Sequence, residues 1–189
     1  VITDEIYAEL TYKEDTFCSI ASLKVMRERT ILVSGFSKGF AMTGWRLGFI
    51  CAPEYLIQQI LKISQFTTIS APTLSQYGAL EALKNGQKYI VEMRNSYRKR
   101  RNFIVKHLRE MGLDCHLPEG AFYVFPSIRK TGLTSEEFAE KLLIQHKVAV
   151  VPGNAFGECG EGHIRCSYAT SLEKIQEAMK RMKRFVDNL

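Results

Sequence analysis

The 189-residue chain is 46% hydrophobic and 24% charged, with a formal net charge of +6, the balance of a packed globular protein rather than a disordered or fibrous one. No apolar run reaches the ~18 residues that would span a bilayer, and no charged n-region leads into an apolar h-region as a secretory signal would, so the sequence reads as cytoplasmic with no membrane partner. The excess positive charge collects in "RNSYRKRRNFIVKHLRE" and "EKIQEAMKRMKRF", where interleaved acidic residues and apolar stripes indicate solvated helix faces and argue against a nucleic-acid partner.

In chain order, "VITD", "TILVSGFS" and "LGFICA" are short apolar runs separated by polar or helical stretches, the pattern of strands in a largely buried sheet. Val1 is not an initiator methionine and "VITDE" begins like the interior of a strand, so the chain is expected to be part of something longer. A helix is expected from Pro53, with Leu56, Ile57, Ile60, Leu61 and Ile63 down one face. A second, "APTLSQYGALEALKN", ends at Asn85-Gly86, and a long basic third runs from about Gln87 to Met111, stopped by Gly112. Beyond it, "LDCHL" and "AFYVFP" are expected as strands joined by "PEGA", and "TSEEFAEKLLIQH" as a helix with a Thr/Ser cap and an acidic first turn. "VAVVPG" and "HIRCSYA" are further strands around the glycine-rich "GNAFGECGEGH", and a last amphipathic helix starts at Ser171. The five cysteines are scattered without the spacing of a zinc or redox pair, so no metal is expected, and they are read as reduced, mostly buried thiols.

One stretch carries chemistry. In "SGFSKGFAMTGWRLG", residues 34–48, Lys38 is the single amine among small and apolar residues, with Arg46 eight positions later. Ser34, Ser37 and Arg46 offer hydroxyls and a planar cation to a phosphate, and the glycines let backbone amides approach the same anion. Asp4 and Tyr7, in "DEIY", close an earlier strand that a sheet would aim at the same crevice. An amine, a phosphate site, a carboxylate and a phenol are together what pyridoxal phosphate requires. Trp45 and Phe40 are read as core packing, and alternation along a strand sends only one of Phe122 and Tyr123 toward a site.

The run "SKGFAMTGWRLG" with upstream "DEIY" and downstream "GAFYVFP", "VVPGNAFG" and "HIRCSYA" resembles the class I aminotransferases of pyridoxal-phosphate fold type I, especially the branch of prokaryotic aspartate and aromatic aminotransferases. The resemblance covers nearly the whole chain, as the C-terminal portion of such an enzyme. It implies an α/β fold in which residues 1–94 complete a large cofactor-binding domain and its connecting helices, and residues 95–189 form a small α+β C-terminal domain. Lys38 would be the Schiff-base lysine, Asp4 the partner of the pyridinium nitrogen, Tyr7 the donor to the 3-oxygen, and Arg46 a phosphate ligand. Arg165 would clamp the substrate α-carboxylate. Many relatives carry a phosphate-binding serine where this chain has Gly35, so Ser37, or else Ser34, would substitute. The family's N-terminal arm, its ring stacked on the cofactor and its glycine-rich helix start have no counterpart in residues 1–189. The implied activity is transfer of an amino group between an amino acid, of aspartate or aromatic type, and a 2-oxo acid, by a homodimer. A β-lyase of the same fold and a non-catalytic aminotransferase-like module remain as alternatives.

Overall fold

The computed structural model describes residues 1–13 and 17–189. The chain divides into two compact units, Val1–Arg94 and Asn95–Leu189.

In the first unit, β1 (Ile2–Asp4) pairs in parallel with β2 (Ile31–Gly35), Asp4 opposite Val33. β3 (Gly48–Cys51) runs antiparallel on the other side of β2, with Gly35 opposite Gly48. That pairing explains both glycines. A Cβ on Gly35 would lie 3.0 Å from the Leu47 carbonyl oxygen, and one on Gly48 2.9 Å from that of Ser34. Two helices follow, α1 (Glu54–Thr67) and α2 (Thr73–Asn85), each opening just after a proline, whose fixed φ suits a helix start. On α1, Leu56, Ile57 and Ile60 are half-buried, whereas Leu61 and Ile63 of the expected apolar face are exposed. Small residues of α2 allow a close approach to the segment after β2: Ser75 Oγ donates to the Trp45 carbonyl at 2.8 Å, and Ala79 is buried with Phe36 and Met42. Phe40 packs against that cluster as expected. Trp45 does not join it; its ring lies over Gly78, where any Cβ would collide with it, and is 42% exposed. α3 (Gln87–Glu110) then carries the chain into the second unit.

The second unit is built on a three-stranded antiparallel sheet of β4 (Tyr123–Val124), β5 (Val151–Pro152) and β6 (Ile164–Ser167), in the order β4-β6-β5. α4 (Ser135–His146) opens with a reciprocal capping box between Thr134 and Glu137, and α5 (Leu172–Val186) is capped by Ser171. Ile175, Met179, Met182 and Phe185, spaced by three or four, turn the inner face of α5 to a core that includes Phe138 and Leu142 of α4, with the Phe138 and Phe185 rings edge-to-face at 5.1 Å.

Two expectations need correction. "LDCHL" is not a strand, although Leu113 and Cys115 are buried and Asp114 and His116 exposed in alternation. Its carbonyls are taken elsewhere, Asp114 by the Ser127 amide at 2.8 Å and Cys115 by the Arg109 side chain at 2.9 Å, so no ladder forms. The cysteines are all free, but Cys18, Cys51 and Cys159 are exposed and only Cys115 and Cys166 buried. Cys51 sits on β3, every residue of which is exposed, and the other two lie outside regular strands and α-helices. Burial pushes the Cys166 thiol up to about 12, which makes it an inert packing group. Among the described residues, no helix is long and apolar enough to cross a membrane.

Candidate active site

Topology gathers the sequence-predicted residues of the first unit. Asp4 is the last residue of β1, and the loop bearing Ser37 and Lys38 leaves β2 at the same end, because the two strands are parallel. β3 is antiparallel, so Arg46 and Leu47, which lead into it, return to that end too. Asp4, Lys38 and Arg46 thus lie at one edge of the sheet, the side where open α/β sheets bind ligands.

Local structure sets each side chain. Alternation along β1 separates Asp4 from Thr3 and Glu5. Glu5 is buried and takes the other side: its Oε1 accepts from Ser19 Oγ at 2.7 Å and from Thr3 Oγ1 at 3.5 Å. Asp4 is exposed; its Oδ1 accepts from the Ile6 amide at 3.0 Å, which orients the carboxylate without using Oδ2. Tyr7 is half-buried and begins a tight turn over Ala8–Leu10, and Gly39 lies against that turn, where a Cβ would come 2.9 Å from Glu9 Cβ. The approach sets Lys38, itself half-buried, beside the Tyr7 turn. Ser34 Oγ donates to the Glu5 carbonyl at 3.3 Å, a bond that uses its single proton, while Ser37 is half-buried next to Lys38.

The same loop holds two non-glycine residues in the left-handed region, Ala41 and Arg46, both at φ 53°. Such conformations cost of order 1–3 kcal/mol each and persist where the surroundings over-determine them. Here Met42 donates its amide to the Phe36 carbonyl at 3.1 Å, Phe36 to that of Leu47 at 3.3 Å, and Ala41 to that of Lys38 at 3.2 Å. The turn at Arg46 leaves its guanidinium exposed, with one nitrogen donating to the Thr43 carbonyl at 2.9 Å.

Arg165 belongs to the second unit, as the second residue of β6, opposite Val151. Its half-buried guanidinium lies 4.6 Å from the centre of the Tyr123 ring and 4.5 Å from that of Phe156. Of Phe122 and Tyr123, it is therefore Tyr123 that meets Arg165; Phe122 is buried and packs on Tyr97 at 5.5 Å. The turn before Tyr123 is pinned by Arg101, which donates to the Pro118 carbonyl at 2.8 Å, and by Tyr168, whose hydroxyl donates to the carbonyl of Ala121, a residue at φ 56°. Phe156 is the site element that sequence reading missed; "VVPGNAFG" contains it, but nothing in the string pairs it with Arg165.

The fold and these residues invite comparison with known proteins. The family model for aminotransferases of class I and II matches residues 1–182. The chain belongs to that family. It is 52% identical over 186 residues to an aspartate aminotransferase of Pyrococcus abyssi, covering 97% of this chain and 48% of that protein. Aromatic-amino-acid aminotransferase 2 of Thermococcus litoralis is 48% identical, with the same coverage. The crystal structure of an aromatic aminotransferase from Pyrococcus horikoshii OT3 superposes with a TM-score of 0.95 at 51% identity, over 99% of this chain and 50% of that one. The chain spans about half the length of the curated aminotransferases it matches, and it shares the α/β fold of the solved ones over that length.

Proposed function

We propose that the protein is a pyridoxal-phosphate-dependent aminotransferase that moves an amino group between an amino acid and a 2-oxo acid, with aspartate or aromatic amino acids as preferred donors. The observation that carries this reading is the meeting of Asp4, Lys38 and Arg46 at one end of the sheet in a chain of this family. The donor set suits the cofactor: a lysine amine for its aldehyde, a carboxylate for its ring nitrogen, a phenol for its 3-oxygen, and Arg46 with Ser37 for its phosphate. When bound, the group supplies an electron sink for the carbanion left at the substrate Cα.

The residues of this chain do the rest. Lys38 would hold the cofactor through its amine and, once that amine is free, would act as the base that takes a proton from the substrate Cα. Asp4 keeps the ring nitrogen protonated by charge pairing. Tyr7 donates a hydrogen bond beside Lys38. Arg165 takes the α-carboxylate through paired N–H groups, a geometry that lysine lacks. In this reading residues 1–94 belong to a large cofactor-binding domain and residues 95–189 form a small C-terminal domain. The working enzyme is a homodimer. The preference for aspartate or aromatic donors is supported by the names of the relatives cited above.

Borohydride reduction of the full-length protein with pyridoxal phosphate, followed by peptide mass mapping, tests the assignment. The label is expected on the peptide containing Lys38, and Lys38→Ala should remove both label and turnover. A label that persists in Lys38→Ala would put the cofactor on another lysine.

A further inference from the structure

Arg165 is a half-buried cation that, among the described residues, forms no ion pair. Two aromatic rings stand in place of a carboxylate. Tyr123 belongs to β4 and Phe156 follows β5, strands on opposite flanks of β6, so the rings reach the guanidinium from two sides at 4.6 and 4.5 Å. Aromatic faces attract the flat faces of a guanidinium, and covering those faces leaves the N–H groups along its edge as the route for an anion.

The Phe156 ring is itself supported. Phe125 meets it edge-on at 6.0 Å, and His163 stacks on Phe125 at 5.3 Å with the planes 8° apart. The segment carrying Phe156 is tied down at both ends. Gly153 donates its amide to the His163 carbonyl at 2.8 Å, and Gly153 and Gly160 touch so closely that a Cβ on either would run into the backbone of the other. The fully buried Ser135 hydroxyl accepts from the amides of Gly162 and His163, at 2.9 and 3.3 Å, and Glu161 accepts from the Ser135 amide at 2.8 Å.

We infer that Phe156 and Tyr123 are positioning residues that fix the plane of the Arg165 guanidinium, so that a carboxylate is received edge-on through two parallel hydrogen bonds. The inference rests on the carboxylate-binding role of Arg165 proposed above and extends it to two residues that touch neither substrate nor cofactor in that role. An arginine on a free side chain would have to surrender several rotors on each binding event; one already held between rings does not. The device acts on the carboxylate, which every substrate carries, so its effect is independent of the substrate's side chain.

The test is calorimetric binding of succinate and of 3-phenylpropanoate, carboxylates without an amino group, to the full-length protein. Phe156→Leu, which keeps apolar bulk but removes the ring, is expected to weaken both ligands about tenfold, while Phe156→Trp stays within about threefold of wild type. In steady-state assays the same variant should raise KM for amino acid and oxo acid alike and lower kcat far less, with an unchanged melting temperature. Wild-type affinity in Phe156→Leu combined with weak binding in Arg165→Lys would overturn the positioning role and leave Arg165 as the carboxylate ligand. Wild-type affinity in Arg165→Lys would overturn the carboxylate reading itself. Loss of 3-phenylpropanoate binding but not of succinate binding in Phe156→Leu would make Phe156 a side-chain contact, which also overturns the proposal.

Discussion

Asp4 illustrates how much of this site is set one residue at a time. Its carboxylate is oriented by the Ile6 amide, and its neighbour Glu5 is turned the other way to bind Ser19 and Thr3. Replacing Asp4 with alanine leaves the Glu5 anchor in place, so the strand should keep its register while the proposed ring-nitrogen partner is lost. Single-turnover measurements with a Cα-deuterated amino acid should show proton removal slowed by roughly 10²–10³-fold, the scale for loss of one preorganised electrostatic partner. Binding of a non-reacting carboxylate should be unchanged, and a near-normal single-turnover rate would remove Asp4 from the mechanism. Ala41 and Arg46 make the complementary point about backbone. Their left-handed conformations, each at φ 53°, are held by bonds that close the loop between Phe36 and Leu47, so Arg46, the proposed phosphate ligand, is aimed by main-chain geometry.

Among elements, the joint between α4 and the segment before β6 decides how the second unit is tied together. Ser135 is the first residue of α4 and completely buried, and its hydroxyl is the acceptor for two amides more than 25 residues away, Gly162 and His163. Ser135→Ala would leave the buried Gly162 amide without its acceptor, at a cost of about 1–3 kcal/mol, while the part-buried His163 amide keeps the Gly160 carbonyl at 3.2 Å. A fall in the urea midpoint at unchanged m-value is the expected readout. If the segment behaves as one body, the same variant should also weaken carboxylate binding, because Phe156 lies within it. The tie has a pH dependence of known sign. The Ser135 amide holds the Glu161 carboxyl below the ordinary glutamate value of 4.5, so its contribution is present above that value and is lost as pH falls through the depressed one.

For the whole molecule, the first unit leaves much apolar surface without a neighbour. β1 and β3 are both edges of a three-stranded sheet, every residue of β3 is exposed, and Phe66, Ile69 and Leu74 of the helical region stand 92%, 82% and 76% open. Edges and patches of this kind recruit other chains. Expressed by itself, the 189-residue chain is expected to self-associate and to show no transaminase turnover, since Asp4, Lys38 and Arg46 would grip the cofactor from one side with water reaching the other. Light scattering and product formation from an amino acid and 2-oxo acid pair check the two halves of that statement. Turnover close to that of the full-length protein would sink it.

The order of elements was legible because each is written in local chemistry: prolines open α1 and α2, Thr134 and Ser171 cap α4 and α5, and apolar runs mark β1, β2, β3 and β6. The set of candidate side chains was legible for the same reason, since an isolated lysine with serines and an arginine at fixed offsets is a property of the string. What the string could not decide was set by partners distant in sequence. "LDCHL" alternates like a strand, yet its carbonyls are claimed by Ser127 and Arg109, and a ladder needs a neighbour that alternation cannot supply. Trp45 looks like core by composition but rests on Gly78, which only the packing of α2 places beneath it. The choice between Phe122 and Tyr123 depended on the register that sets Tyr123 opposite Ser167, on the same face of the sheet as Arg165, and the role proposed for Phe156 on a loop folding back to Arg165, nine positions along the chain. Local preference acts over a turn or two of chain, whereas the ring that orients a cation is chosen by the fold that brings them together.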